Sequence, residues 1–293
     1  MKIRRTQIQW IFFLVVVFLI TSAAPGWSKE FKFTAIPDQD TARLQERFGK
    51  IATYLSEKLG ITVAYVPVKS YSASVAAFKN NEVQLAWFGG LSGVEARLAV
   101  PGSQAIAQGE EDTRFVTYFI ANTSTGLSFQ APFPEGIAGR TFTFGSKGST
   151  SGRLMPEFYI RQHFRKGPEE VFKRVGFSGD HTKTIALVQS GSYEVGAVNF
   201  KVWEKEAEEG RIDSRKVTVI WATPEFPDYN WTIRGDVEKA YGPGFIEKVQ
   251  NALLNLKDPA LLNSFPRGSF IRADNGMYQP ILDTGKAIGI FRK

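Results

Sequence analysis

Apolar and polar residues alternate along the chain in a repeating order of short strands and amphipathic helices. Phe31–Pro37 alternates and stops at a proline, which predicts a first strand. Over Thr41–Leu59, apolar residues at Leu44, Phe48, Ile51, Tyr54, Leu55 and Leu59 follow a helical period, and Gly60 ends the helix. Ile61–Val68 is β-branched and alternating, Tyr71–Asn80 is helical, and Val83–Phe88 is a short apolar strand closed by Gly89 and Gly90. This βαβαβ order predicts a parallel sheet with right-handed crossovers. A further strand falls at Phe115–Ala121, after which Asn122–Gly139 is rich in Ser, Thr, Gly and Pro.

The alternation then resumes. Strands are predicted at Arg140–Gly145, Arg174–Phe177, Tyr193–Asn199 and Val217–Ala222, with helices ending near Phe164 and covering His181–Ser190 and Lys201–Gly210. Asn230–Arg234 reads as a crossing back, and helical patterns close the chain at Val237–Leu256 and Gln279–Ile290. The fold class is therefore α/β, with two lobes joined by two crossing segments. The first lobe takes residues 29–121 plus 229–293, and the second takes 122–228. A cleft between such lobes collects the residues that follow the strands, because ligands of α/β sheets bind beyond the carboxyl ends.

The N-terminus lies outside this pattern. Lys2, Arg4 and Arg5 precede the apolar run Trp10–Ile20 and the small residues Thr21–Ala24, the layout of a secretory signal peptide over residues 1–28. The run is too short to cross about 30 Å of hydrocarbon as a helix. Removing this segment takes three positive charges from a formal +7 and leaves a mildly basic chain. Its Lys and Arg residues are scattered, so no nucleic acid partner is indicated. The mature chain reads as exported, most simply to a bacterial periplasm.

Composition narrows the chemistry. With no Cys and only His163 and His181, disulfides, iron–sulfur clusters, zinc–cysteine sites and multi-histidine metal sites are excluded, and no cofactor or metal is implied. A nucleophile elbow fails because Thr150 stands at the centre of Gly148–Gly152, and no P-loop or G-x-G-x-x-G motif is present. No enzyme signature survives.

Four segments could carry binding chemistry. Phe144–Gly152, F-G-S-K-G-S-T-S-G, sits at a strand-to-helix turn and offers consecutive hydroxyls at Ser149, Thr150 and Ser151 with free amides, a cradle for an anion. The alternative is an ordinary N-cap at Ser149. Pro156 suggests that the regular helix starts near it, leaving a separate turn before it. His181 either donates from its ring to an anion or is a first-turn residue behind an Asp180 cap, whereas His163 reads as surface. Tyr71, Trp87 and Phe88 either wall a pocket or belong to the core. Asp228, after the Pro227 break, is a turn residue or a cleft carboxylate.

Three of these segments, in this order and spacing, resemble the substrate-binding proteins of phosphonate and phosphite ABC importers, the PhnD-type family. They are Leu85–Ser92 (L-A-W-F-G-G-L-S), Phe144–Gly145 with Ser149–Gly152 and Pro156, and Gly179–Thr184 around His181. The resemblance implies a type II periplasmic-binding-protein fold closing by a hinge on a tetrahedral oxyanion, with an ABC permease as partner and no enzymatic activity. It assigns Ser149, Thr150, Ser151, Tyr71 and His181 to the phosphonyl oxygens and places Asp228 near the ligand's other end. Phe88 stands where the family often has Tyr, which removes one hydroxyl donor. Lys201 stands where aminoalkylphosphonate binders use a second carboxylate. The expected ligand is therefore small and lacks an amine: phosphite, a short phosphonate, phosphate or a related oxyanion. Ile36–Asp40 and Ala86–Gly90 also resemble a subgroup assigned to selenate import, and the same fold serves periplasmic sensor domains. A monomer is expected.

Overall fold

The structure, a computed structural model, describes residues 29–291. The signal-peptide expectation for residues 1–28 lies outside the described residues. Among the described residues, no helix is long and apolar enough to cross a membrane.

The first lobe begins with β1 (Phe31–Ala35), α1 (Thr41–Leu59), β2 (Val63–Tyr65), α2 (Tyr71–Lys79), β3 (Leu85–Phe88), α3 (Gly90–Ala99) and β4 (Gln104–Gly109). Local chemistry brackets α1. The Asp40 carboxylate accepts the Ala42 and Arg43 amides at the N-terminus, and Gly60 takes a left-handed φ of 68° at the C-terminus. Between the caps, Leu44, Phe48, Ile51, Leu55 and Leu59 are buried on one face. Each such side chain contributes roughly 1.5–3 kcal/mol by leaving water.

The second lobe comprises β5 (Thr117–Asn122), β6 (Thr141–Phe144), α4 (Met155–Phe164), α5 (Pro168–Val171), β7 (Arg174–Phe177), α6 (His181–Gln189), β8 (Val195–Asn199), α7 (Phe200–Glu208) and β9 (Val217–Ala222). The chain then returns to the first lobe as β10 (Asn230–Ile233), α8 (Glu238–Tyr241), α9 (Phe245–Leu254), α10 (Pro259–Ser264), β11 (Phe270–Arg272) and α11 (Gln279–Ala287).

Two sheets result, in the orders β11-β4-β10-β3-β1-β2 and β7-β6-β8-β5-β9. The expected parallel arrangement holds for β2, β1 and β3. It fails for the other half of the first sheet, where β10 runs antiparallel to both β3 and β4, and β11 is antiparallel to β4. The lobe boundary also differs from the expected break after Ala121, because β5 pairs with β8 and β9 inside the second sheet.

The two crossings therefore run on either side of a short antiparallel contact. Phe115 and Phe226 exchange both backbone hydrogen bonds at 2.9 Å, Thr223 N–H donates to Thr117 O at 3.0 Å, and Asp228 N–H donates to Asp112 O at 3.0 Å. The helical pattern over Val237–Leu256 is interrupted at Gly242 and Gly244, whose φ values of 94° and 77° end α8 and precede α9.

Candidate functional site

The lobes meet over the residues that follow their strands. Tyr71, Ser149, Thr150, Ser151, His181 and Asp228 are each at most 2% exposed, so the cleft is shut. Ser149 caps a π-helical turn at Thr150–Leu154 by accepting the Gly152 amide at 2.9 Å. That turn precedes α4, which starts at Met155 with Pro156 in its first turn, so the proline marks a boundary between turn and helix. Of the two readings of Ser149, the cap is the one the geometry displays: its oxygen accepts the Gly152 amide and closes the turn.

Gly148 lets the lobes approach, and Gly152 lets the turn pack within the second lobe. A Cβ on Gly148 would lie 3.1 Å from Tyr71 Cβ, so the bare backbone lets the turn reach α2 across the cleft. A Cβ on Gly152 would lie 2.9 Å from Ser149 Oγ and 3.0 Å from His181 Cε1, which places the imidazole edge directly on the turn. Thr150 Oγ1 accepts the Leu91 amide at 2.9 Å, and Asp228 Oδ1 accepts the Gly90 amide at 2.8 Å. The N-terminus of α3 thereby holds one group from the second lobe and one from the return crossing.

Electrostatics define what the groups can do. His181 Nδ1 accepts the backbone N–H of Asn199 at 3.3 Å, so the ring proton resides on Nε2. Burial pushes the His181 pKa down to about 3, and the imidazole is neutral at physiological pH. Burial pushes Asp228 up to about 7, opposed by the Gly90 amide and the Thr150 and Ser151 hydroxyls. Burial also raises the Tyr71 phenol well above its ordinary value, which keeps it protonated.

Four of the buried groups have no hydrogen-bond partner: Tyr71 Oη, Ser151 Oγ, His181 Nε2 and Asp228 Oδ2. A buried polar group left unpaired costs about 1–3 kcal/mol, so four of them, all on residues drawn together at one cleft, are hydrogen-bonding capacity that a polar ligand would satisfy. Among the described residues, no cluster of His, Asp and Glu could hold a metal ion.

Not every expected residue joins them. The Phe88 ring packs edge-on against Phe78 at 5.6 Å in the first-lobe core, and no described contact brings it to the four groups. Trp87 is also core, stacked on Tyr229 at 5.4 Å. His163 is exposed and stacks on Phe133. Lys201 Nζ pairs with Glu204 at 3.3 Å and lies over the Phe200 ring. Sequence reasoning missed the amides of Gly90 and Leu91, although a strand ending in two glycines was a signal of a helix start there. Asp38 and Asn199, which follow strands, were expected at the cleft but without a role, and Tyr229 was missed; all three lie directly behind the site.

Two α/β lobes, crossed twice and shut over a cluster of unpaired polar groups, define a ligand-binding protein of the hinge-closing class. A family model described as the periplasmic substrate-binding protein of a phosphonate ABC transporter matches residues 33–278, and the chain belongs to that family, one of transport binding proteins rather than enzymes. The probable ABC transporter phosphite binding protein PhnD1 of Prochlorococcus marinus (strain MIT 9301) is 38% identical over 298 residues, covering 96% of this chain and 98% of the relative. The solved structure of PhnD1 in complex with methylphosphonate has a TM-score of 0.86 and covers 90% of this chain and 100% of that one. The phosphonates-binding periplasmic protein of Escherichia coli (strain K12) is 24% identical, over 73% of this chain and 64% of its own length. A phosphonate-transporter binding component from Pseudomonas aeruginosa, 20% identical with a TM-score of 0.76 over 87% of this chain and 85% of that one, shares the fold. Membership implies a small ligand and a membrane permease as partners.

Proposed function

We propose that this chain, exported to the periplasm by residues 1–28, binds a small singly protonated phosphorus oxyanion, phosphite or a short phosphonate, and delivers it to an ABC permease. The observation that carries the reading is the chemistry of the four unpaired groups. Tyr71, Ser151 and the neutral His181 offer O–H and N–H donors, and the Ser149 and Thr150 hydroxyls lie beside them. Asp228 Oδ2 is the complementary acceptor, and its carboxyl, with a pKa of about 7, shares one proton with the bound oxyanion. Phosphite and phosphonates retain such a proton near neutrality, whereas sulfate and selenate do not. Asp228 is the one carboxylate among the proposed contacts, and Lys201 is engaged with Glu204, so there is no cage for an ammonium group. PhnD1, crystallised with methylphosphonate, supports the same ligand class.

The test is a thermal-shift and calorimetry panel on residues 29–293, prepared without phosphate, with phosphite, methylphosphonate, aminoethylphosphonate, phosphate, selenate and sulfate. A ligand at 100 times its Kd should add about 2.7 kcal/mol of stability. Selective stabilisation by phosphite or methylphosphonate is expected. Tightest binding of aminoethylphosphonate would overturn the exclusion of an amine, and selective binding of selenate would overturn the shared-proton argument.

A further inference from the structure

Behind the four unpaired groups runs a closed ring of hydrogen bonds whose members touch no proposed ligand position except through His181. Asn199 Oδ1 accepts the Lys201 and Val202 amides at 2.8 and 3.2 Å as the N-cap of α7, which fixes the orientation of the side-chain amide. Asn199 Nδ2 consequently faces Tyr229 and donates to its Oη at 2.9 Å. Tyr229 Oη passes its own proton to Asp38 Oδ2 at 2.8 Å. The ring closes through His181, whose backbone N–H donates to Asp38 O at 3.0 Å and whose Nδ1 accepts the Asn199 amide. Asp38, His181, Asn199 and Tyr229 are all at most 4% exposed.

The helix cap fixes the direction of the first bond. Asn199 Nδ2 is free of the helix cap and donates to Tyr229 Oη, and Tyr229 in turn donates its one proton to Asp38 Oδ2. Burial works against an ionised Asp38, and the nearby Arg47 guanidinium works for it. The ring also joins separate bodies. Asp38 follows β1 in the first lobe, whereas His181 and Asn199 belong to the second. Tyr229 is tied to the first lobe by its stack on Trp87 and by Tyr278 Oη, which donates to its carbonyl at 3.2 Å. Both the Asn199–Tyr229 bond and the bond from His181 N–H to Asp38 O therefore exist only when the lobes are together.

We propose that Asn199, Tyr229 and Asp38 are positioning residues that hold the closed state and present the His181 Nε2 proton to the ligand. This rests on the oxyanion-binding reading above. Since apparent affinity scales with the population of the binding-competent state, the ring sets how long a bound ligand stays rather than how fast it arrives.

Two variants separate this role from a purely structural one. Asn199→Asp keeps a good helix cap and the backbone donor to His181, but removes the only donor facing Tyr229 and adds a second carboxylate to the ring. Tyr229→Phe keeps the stack on Trp87 and removes both side-chain bonds. Stopped-flow tryptophan fluorescence with phosphite and methylphosphonate, read beside ligand-free melting, should show dissociation about ten-fold faster in either variant, the magnitude of one or two lost hydrogen bonds. Association rates should stay close to those of the parent, as should the ligand-free melting temperature of Asn199→Asp, whereas Tyr229→Phe also loses its first-lobe bond to Asp38 and should melt lower. Unchanged dissociation in both variants, or weaker binding matched by an equal loss of ligand-free stability in Asn199→Asp, would overturn the proposal. If the parent protein binds none of the oxyanions, the ligand reading fails instead. The ring is then judged by small-angle scattering of ligand-free protein, where a radius of gyration unchanged by Asn199→Asp would overturn it and an increase would support it.

Discussion

Asp228 Oδ1 accepts the backbone N–H of Gly90 at 2.8 Å, which anchors the carboxyl while its second oxygen is left without a partner. The carboxyl thus caps a first-lobe helix with one oxygen and leaves the other unpaired at the cleft, the contact proposed for the ligand. Asp228→Asn preserves the cap and turns the acceptor into a donor or a neutral carbonyl. Calorimetry at pH 7 should show phosphite binding weakened about 10–100-fold, the size of a charge-assisted hydrogen bond, with a relative gain for sulfate and selenate. Protons have a matching effect on ligand-free stability. A carboxyl whose pKa rises from 3.8 to about 7 on folding contributes stability that is fully present below pH 3.8 and is lost as pH rises through 7. Melting curves from pH 4 to pH 8 should therefore fall more steeply for the parent than for Asp228→Asn.

His181 carries the opposite sign. Its pKa drops from 6.5 to about 3 in the folded protein, so the neutral ring contributes stability above pH 6.5 that is lost as pH falls toward 3. Nitrogen NMR should show the Nε2–H tautomer with no titration between pH 5 and pH 8. Removing the donor in His181→Leu should weaken oxyanion binding about ten-fold or more, and His181→Gln, which keeps an N–H in reach, should recover part of the loss.

Gly152 is a steric prediction. With His181 Cε1 and Ser149 Oγ both within about 3 Å of where a Cβ would stand, Gly152→Ala must move the ring or the turn. Binding should fall at least ten-fold, and ligand-free melting should drop by the few degrees expected of about 1–3 kcal/mol of overpacking.

Two ion pairs should respond very differently to truncation. Arg267 grips Asp112 with two bonds, of 2.6 and 2.8 Å, and both residues are buried beside the outgoing crossing. Arg267→Ala leaves an uncompensated carboxylate there and should cost about 3–5 kcal/mol in urea unfolding. Arg43, partly exposed, reaches across the cleft mouth to Glu206 at 2.7 Å. Arg43→Ala should leave global stability nearly unchanged and raise the ligand dissociation rate only a few-fold, in a salt-dependent way.

The parts of this architecture that chain-local chemistry specifies were legible from sequence. α1 is found to the residue because Asp40 and Gly60 bracket a regular apolar face, and β7 and β9 match their expected limits. α3 escapes detection because its buried face is built from Gly90, Leu91, Ser92, Gly93, Val94 and Ala96, small and polar residues that blur the helical period. β11 escapes because it has only three residues, and β4 because it depends on β10, far along the chain, for its inner partner. At the site, Tyr71, Ser149–Ser151, His181 and Asp228 were accessible because each sits where a strand, helix or crossing begins or ends. For the ring, position after a strand pointed to Asp38 and Asn199 without a role and gave nothing for Tyr229, because its bonds join residues up to 191 positions apart.

The antiparallel β10 has one more consequence, which concerns the order of folding. It lies at the centre of the first sheet, between β3 and β4, yet it is made only after the whole second lobe. A nascent chain that has reached Ala222 can assemble the second sheet, while β4 waits without an inner neighbour until Ile233 has been synthesised. The earlier lobe is thus the later one to mature. Such a delay suits a polypeptide that crosses a membrane before it folds, since its N-terminal half cannot lock into a finished domain while translocation is under way.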